Sequence, residues 1–583
     1  MSVTGNQKVA ATAKQTPTTT SQTTIGEQVG KQTATKEIPQ KKLVLMWAMI
    51  LLGYFLFVVQ WYSIGNFAGG YNANIGATTA NAALTAMPNW TITLMRGIGS
   101  ILAGYLLAKI GHRYAVITVL SLMVLSFPFL IVIGLDNWPK DTLVAGSSPE
   151  QYYSSAAFGL FLFFRLFLAI GGTTLITYTN SVIAKMPTEK RPTFMTINQF
   201  GFNGGAFFAN FFFCFGLSSV INADPAVWLT ILTLLLALIA IILVVYIMFG
   251  MEVLPAQKKQ NTKFQNDDVT FGKVFKQGYT WKMSTIFIIW LIAVVFINSG
   301  TMRNVIEQSP ANLQTLVEWN IANNTPISHT VVNEVDKYTW SISALANSTL
   351  GTKTSVVVGS GYNWVWPTFI CMFVAGFFVG LLFISPFSKT IYKRKLFFHT
   401  MFILGFVFAA ISLMIGYFGG YGNDAALAFF FIFIFISGMF LWAVQPVLLS
   451  LYQQAPQSNP KYAGIIAGLI WGIGYVGYTI FELVFSLISS YAGNATAFST
   501  ALGEAAKIVQ TNQGDLSAVL ANYTAPVGNI VTIIFFFIAC LLVFIPIQML
   551  PPAGIKDANG NFVPFTKTWK PWEWNFKKPE VRF

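Results

Sequence analysis

Long apolar runs separated by short polar breaks set the pattern of this chain. A run of roughly twenty uncharged residues is the length that crosses a hydrocarbon core, and the runs with their breaks predict twelve helices. The first six cover 43–65, 84–108, 113–135, 156–184, 193–217 and 226–250. The second six cover 283–299, 364–386, 396–418, 426–451, 462–489 and 526–549. The expected architecture is an all-α membrane protein of two six-helix bundles, 43–250 and 282–550. A polar, basic loop at 251–281 joins them, and a loop at 300–363 is long enough to fold into a small cap. Residues 1–42 and 551–583 read as tails, the first a disordered stretch rich in Thr, Gln and Lys.

The charges between the runs orient the bundle. With the N-terminus inside, the inner segments hold Lys109, His112 and Arg113, then Lys185, Lys190 and Arg191, then five lysines between Lys258 and Lys276, then Lys389, Lys393, Arg394 and Lys395. The opposite loops hold mainly acids, among them Asp136, Asp141, Glu150, Glu307, Glu318, Glu334, Asp336, Asp424, Glu504 and Asp515. This positive-inside distribution puts both termini in the cytoplasm and the protein in the plasma membrane as a multi-pass chain.

Composition agrees and removes several classes of function. The 583 residues are 54% hydrophobic and only 10% charged, against about 25% charged in soluble proteins. The net charge of +14 follows from the topology, so no nucleic-acid partner is expected. Cys214, Cys371 and Cys540 all lie inside apolar runs, where thiols act as small hydrophobes, and no disulfide framework, metal or cofactor is expected. His112, His329 and His399 are far apart in sequence, and no nucleophile constellation or nucleotide-binding glycine loop accompanies them, which argues against an enzyme or an ATP-driven pump.

Polar residues inside the spans carry the chemistry. In 84–108, Asn89, Thr93, Arg96 and Ser100 recur on one helix face. Arg96 lies about 18 Å into that span at about 1.5 Å per residue, close to the bilayer midplane. An arginine there costs at least about 2.5–3.5 kcal/mol, so its face must meet protein, water or a ligand. The span at 193–217 repeats the device with Thr196, Gln199, Asn203 and Asn210, and the span at 462–489 presents Gly464, Gly468, Trp471, Tyr475, Tyr478 and Glu482. Trp442 and Gln445 lie at adjacent turns of 426–451, and Arg165 lies in 156–184. Arg96, Arg165, Gln199, Asn203, Trp442, Gln445, Trp471, Tyr475 and Tyr478 are therefore the candidate substrate-binding residues. Glu482 is the candidate for proton coupling. Small residues such as Gly201, Gly205, Gly464 and Gly468 more often let helices pack closely than touch a ligand.

Six plus six helices about a basic middle loop resemble the major facilitator superfamily. "GYLLAKIGHR" (Gly104 to Arg113) is similar to the family loop G-x-x-x-D-R-x-G-R-R, with Gly104, Lys109, Gly111 and Arg113 as its switch residues and Ala108 where the acid is usual. "RLFLAIGGT" (Arg165 to Thr173) resembles the pattern R-x-x-x-G-x-G, with Ala169 at the first glycine. The resemblance implies a secondary transporter whose two bundles rock about a midplane site. The paired arginines that organophosphate antiporters of this superfamily carry on spans one and seven are absent.

Arg96 and Arg165 outnumber Glu482 inside the spans, and a guanidinium suits bidentate binding of phosphate or carboxylate. The function expected is alternating-access transport of a small organic anion, such as a sugar phosphate, phosphate ester or carboxylate, by a monomer. Two alternatives stand beside it. One is proton-coupled or facilitated transport of a neutral solute such as a sugar, with Glu482 titrating; the other is a non-transporting membrane sensor.

Overall fold

The computed structural model describes residues 38–66, 82–135, 138–139, 142–143, 152–187, 190–214, 225–254, 275–325, 327–332, 335–340, 364–388, 394–442, 444–451, 463–492, 497–550, 554–556 and 562–564. Most of the two tails, most of the 251–281 loop and residues 341–363 lie outside the described residues. The described helices and strands belong to one compact unit, Gln40–Phe583.

The first half runs through α1 (Gln40–Asn66), α2 (Ala82–Ile110), α3 (His112–Leu125), α4 (Pro128–Gly134), a short hairpin of β1 (Thr142–Leu143) and β2 (Tyr152–Tyr153), α5 (Ser155–Ile183), α6 (Arg191–Asn198), α7 (Phe200–Cys214) and α8 (Pro225–Phe249). The second runs through α9 (Gly278–Val295), α10 (Gly300–Glu307), α11 (Pro310–Ala322), β3 (Ile327–Val332), β4 (Val335–Trp340), α12 (Val365–Ser388), α13 (Arg394–Gly419), α14 (Asp424–Leu441) and α15 (Val444–Leu451). It closes with α16 (Ala463–Tyr491), α17 (Ala497–Thr511), α18 (Leu516–Asn522), α19 (Val527–Leu541) and α20 (Phe544–Gln548), followed by the β5–β6 hairpin (Gly554–Lys556 and Phe562–Pro564).

Helices dominate because a chain in hydrocarbon must satisfy its backbone hydrogen bonds within each segment. The polarity is that of a membrane protein. Leu234, Leu238, Ile241 and Val244 of α8 face outward, while Thr93, Arg96, Ser100, Asn203 and Gln445 are buried between helices. Eleven described helices are long and apolar enough to cross a membrane. The fifth expected span, 193–217, differs: it is two helices of 8 and 15 residues, and its description ends at Cys214. Gln199 lies between them with helical backbone angles: its N–H bonds to the Thr196 carbonyl three residues back at 3.1 Å, which tightens the turn, while its own carbonyl accepts from the backbone N–H (3.1 Å) and the amide Nδ2 (3.2 Å) of Asn203.

The two halves meet along an antiparallel seam between α2 and α16. Thr479 donates to Thr93 at 2.9 Å, and Asn89 at one end of the seam donates to Glu482. Between them and Ser100 the backbones nearly touch. A methyl group on Gly97 would lie 3.0 Å from the Gly472 carbonyl oxygen, and one on Gly472 would lie 3.0 Å from that of Gly97. Gly468 stands over the Ser100 carbonyl, so the glycines of this face serve helix packing.

The described residues of the long loop (300–325, 327–332 and 335–340) pack with a second segment that the hydropathy pattern left blank into a small cap. Leu313, Leu316 and Val317 of α11 pack on Phe498, Ala501 and Ala505 of α17 and on Tyr523, with Trp340 of β4 and Leu516 of α18 against them. Hydrogen bonds tie the cap to its own half. Gln308 accepts from the Tyr523 hydroxyl and from Asn529 Nδ2, each at 2.8 Å, and Asn312 binds the Gly416 carbonyl and the Tyr421 N–H.

Candidate functional site

Arg96 sits midway along the seam with its side chain fully buried. Four rings surround the guanidinium: Tyr475 at 4.2 Å, Trp61 at 4.4 Å, Phe202 at 5.3 Å and Phe57 at 5.9 Å from its central carbon. Phe57 and Trp61 come from α1, Phe202 from α7 and Tyr475 from α16, so both halves build the cage. Aromatic faces carry partial negative charge and hold a desolvated cation by about 2 kcal/mol or more. The polar contacts are poor by comparison. Nη2 reaches the Tyr54 hydroxyl only at 3.5 Å, and Nε and Nη1 have no hydrogen-bond partner. Among the described residues no carboxylate lies within 4.0 Å of Arg96.

The other predicted residues divide into those gathered at this place and those set apart. Trp471 packs on Tyr475 at 5.7 Å, and Trp442 packs on the cage residue Phe202 at 5.5 Å. Asn203 donates to Gln445 Oε1 at 3.2 Å, a direct link between halves, while Asn203 Oδ1 and the indole nitrogens of Trp442 and Trp471 have no partner. Gln199 is buried at the α6–α7 junction. Arg165 instead stacks over Phe161 at 5.5 Å, whose ring meets Phe129 of α4, inside the first half.

Glu482 does not pair with Arg96. Its carboxylate accepts from Asn89 Nδ2, with the Tyr478 hydroxyl beside it, and Asn89 Oδ1 accepts from Trp61 Nε1 at 3.2 Å. Trp61 therefore touches the arginine with its ring and the asparagine with its N–H. Tyr54, Phe57, Trp61 and Phe202 escaped the sequence reading. The spacing of Tyr54, Phe57 and Trp61 puts them on one helix face, but such a face reads equally as ordinary packing.

At the opposite end of α2 the loop to α3 is built around Gly111, whose φ of 81° belongs to glycine. An acid from elsewhere in the chain reaches this loop: Glu252, just beyond α8. Its carboxylate accepts from the His112 N–H at 2.6 Å and the Arg113 N–H at 3.3 Å, capping the start of α3. Arg113 reaches back to the Ile247 carbonyl at 2.9 Å. Lys109 is exposed beside Tyr105.

A buried charge between two helical halves is the arrangement of a membrane carrier, and sequence comparison agrees. The family described as Mycoplasma MFS transporters matches residues 161–490, more than half of the chain. The chain belongs to this family of the major facilitator superfamily and is a multi-pass membrane protein. It is 28% identical to a major facilitator superfamily transporter of Mycoplasma pneumoniae over 91% of this chain and 97% of that one. A second such transporter, from Mycoplasma genitalium, is 25% identical over 93% and 96% of the two chains. Among solved structures, a bacterial homologue of the human lysosomal transporter Spinster superposes with a TM-score of 0.48 at 13% identity, covering 88% of this chain and 98% of that one.

Proposed function

We propose that this transporter carries a small organic anion across the plasma membrane by alternating access, with Arg96 as the group that binds its charge. One observation supports this above the others: two nitrogens, Nε and Nη1, of a fully buried guanidinium have no hydrogen-bond partner. Leaving buried donors unpaired costs about 1–3 kcal/mol each, more when charged. A phosphate or carboxylate that reaches the cage would accept from one of them together with Nη2, whose contact with Tyr54 is long. Trp471, Trp442, Tyr475, Asn203, Gln445 and Gln199 would contact the rest of the molecule, and Arg165 adds a second buried positive charge to the half that carries Arg96. Because both halves wall the cage, an anion held there favours their closure around it.

Thermal stabilisation of the purified protein tests the reading, with a panel of sugar phosphates, glycerophosphodiesters, carboxylates and uncharged sugars. A ligand at 100 times its Kd adds about 2.7 kcal/mol of stability. The expected result is stabilisation by one anion class that disappears in Arg96→Gln. Stabilisation by uncharged sugars that survives this substitution would transfer the function to neutral solutes.

A further inference from the structure

We propose that the anion is carried on a flat heteroaromatic ring, its charge held by the first half of the molecule and its ring by the second; this rests on the anion reading of Arg96 above. The starting observation is that rings around Arg96 belong to a closed circuit. From the guanidinium it passes to Phe202 (5.3 Å), Trp442 (5.5 Å) and Trp290 (5.6 Å). It continues through Phe287 (5.4 Å), Trp471 (4.9 Å) and Tyr475 (5.7 Å) and returns to Arg96 (4.2 Å). All six rings are buried.

The circuit is divided unequally. Arg96 and Phe202 come from α2 and α7, whereas the other five rings, on α9, just after α14 and on α16, come from the second half. The circuit crosses between the halves at Arg96–Tyr475 and at Phe202–Trp442, and the Asn203–Gln445 bond lies beside the second crossing. A substrate here meets a cation of one half and the aromatic faces of the other.

The polar atoms left over select the kind of ring. The Trp290 N–H is used, donating to the Leu441 carbonyl at 2.9 Å. The N–H groups of Trp442 and Trp471, which flank the Phe287–Trp290 pair, are buried without a partner, and so is Asn203 Oδ1. Along the circuit, two donors and one acceptor are too few for a sugar. Each sugar hydroxyl is both donor and acceptor and costs affinity when buried unpaired. The same atoms suit a ring that is apolar on its faces and polar at one or two edge atoms. Such a ring packs favourably on aromatic neighbours, and its ring nitrogen or carbonyl oxygen accepts from an indole N–H. An aliphatic ring gains neither.

Thermal stabilisation of the full-length protein by simple ring anions tests this, since the ligand dependence of the melting temperature gives Kd. The probes are nicotinate, benzoate and cyclohexanecarboxylate, which share one charge, with glucose 6-phosphate and uncharged nicotinamide beside them. One hydrogen bond and one aromatic pair are each worth roughly three- to tenfold in Kd. Nicotinate is therefore expected to bind that much more tightly than benzoate, and benzoate than cyclohexanecarboxylate. Trp442→Phe and Trp471→Phe each keep a ring and remove an N–H. In one of them nicotinate should fall to the level of benzoate while benzoate is unchanged, a ratio that a general loss of stability does not imitate. If neither variant folds, the wild-type order alone decides. Cyclohexanecarboxylate binding as well as benzoate, glucose 6-phosphate binding more tightly than nicotinate, or no binding by the three ring carboxylates overturns the ring proposal. A nicotinate advantage that persists in both variants does the same. These outcomes leave the anion reading standing as long as the anion that binds is lost in Arg96→Gln. Nicotinamide binding as well as nicotinate, with both surviving Arg96→Gln, overturns the anion reading instead.

Discussion

The guanidinium of Arg96 is tolerable inside the membrane because four aromatic faces replace part of its hydration. Its depth was legible in the sequence, since a charge in an apolar run stands out. The cage was not, because the side chains that build it look like any helix face made for packing. Glu252 shows the same limit from the other side: nothing in the spacing links it to His112 and Arg113, some 140 residues earlier. Burial raises its carboxyl above the ordinary value, against the opposing pull of the N–H groups of His112, Arg113 and Leu254 and of the Arg113 charge. An acid raised in the folded state contributes its stability in full below the unfolded-chain value of about 4.3, and that contribution is lost as pH rises through the raised value. Glu252→Gln keeps an acceptor for the same N–H groups. It should flatten the melting temperature against pH on the acid side of neutrality, and an unchanged slope would show that Glu252 does not set it.

At the scale of elements, the seam between α2 and α16 depends on missing side chains. Gly97 and Gly472 face each other's carbonyl oxygens, and a side chain at either would have to displace backbone. Gly472→Val should cost about 1–3 kcal/mol of overpacking in the closed arrangement. It is expected to lower the melting temperature and impair transport, whereas wild-type values in both would mean that the seam has slack. The small residues of α16 were readable as a packing face, but not their partner, because hydropathy says which side of a helix is small and not which helix approaches it. The tightened turn in the fifth span was not legible either: its residues are apolar enough to continue a helix, and only the Gln199 N–H, bonded three residues back to Thr196, marks the change.

For the whole molecule, transport requires the halves to part, and the hydrogen bonds that join them mark where. Thr93 and Thr479 oxygens lie 2.9 Å apart across the seam, close enough for a disulfide between cysteines placed there. The double variant Thr93→Cys/Thr479→Cys should cross-link under oxidation, lose at least about tenfold in transport, and recover on reduction. Undiminished transport by the cross-linked protein would show that this end of the seam never opens. Membrane residence, the apolar runs and the polarity of each face were already decided by the order of residues, because transfer into hydrocarbon depends on local composition. The caging of Arg96, the bridge from Trp61 through Asn89 to Glu482, the capping of α3 by Glu252 and the union of two loops in one cap were decided only by the tertiary structure. Each joins residues far apart in the chain, and the energy of a buried charge or hydrogen bond depends on what lies beside it in space.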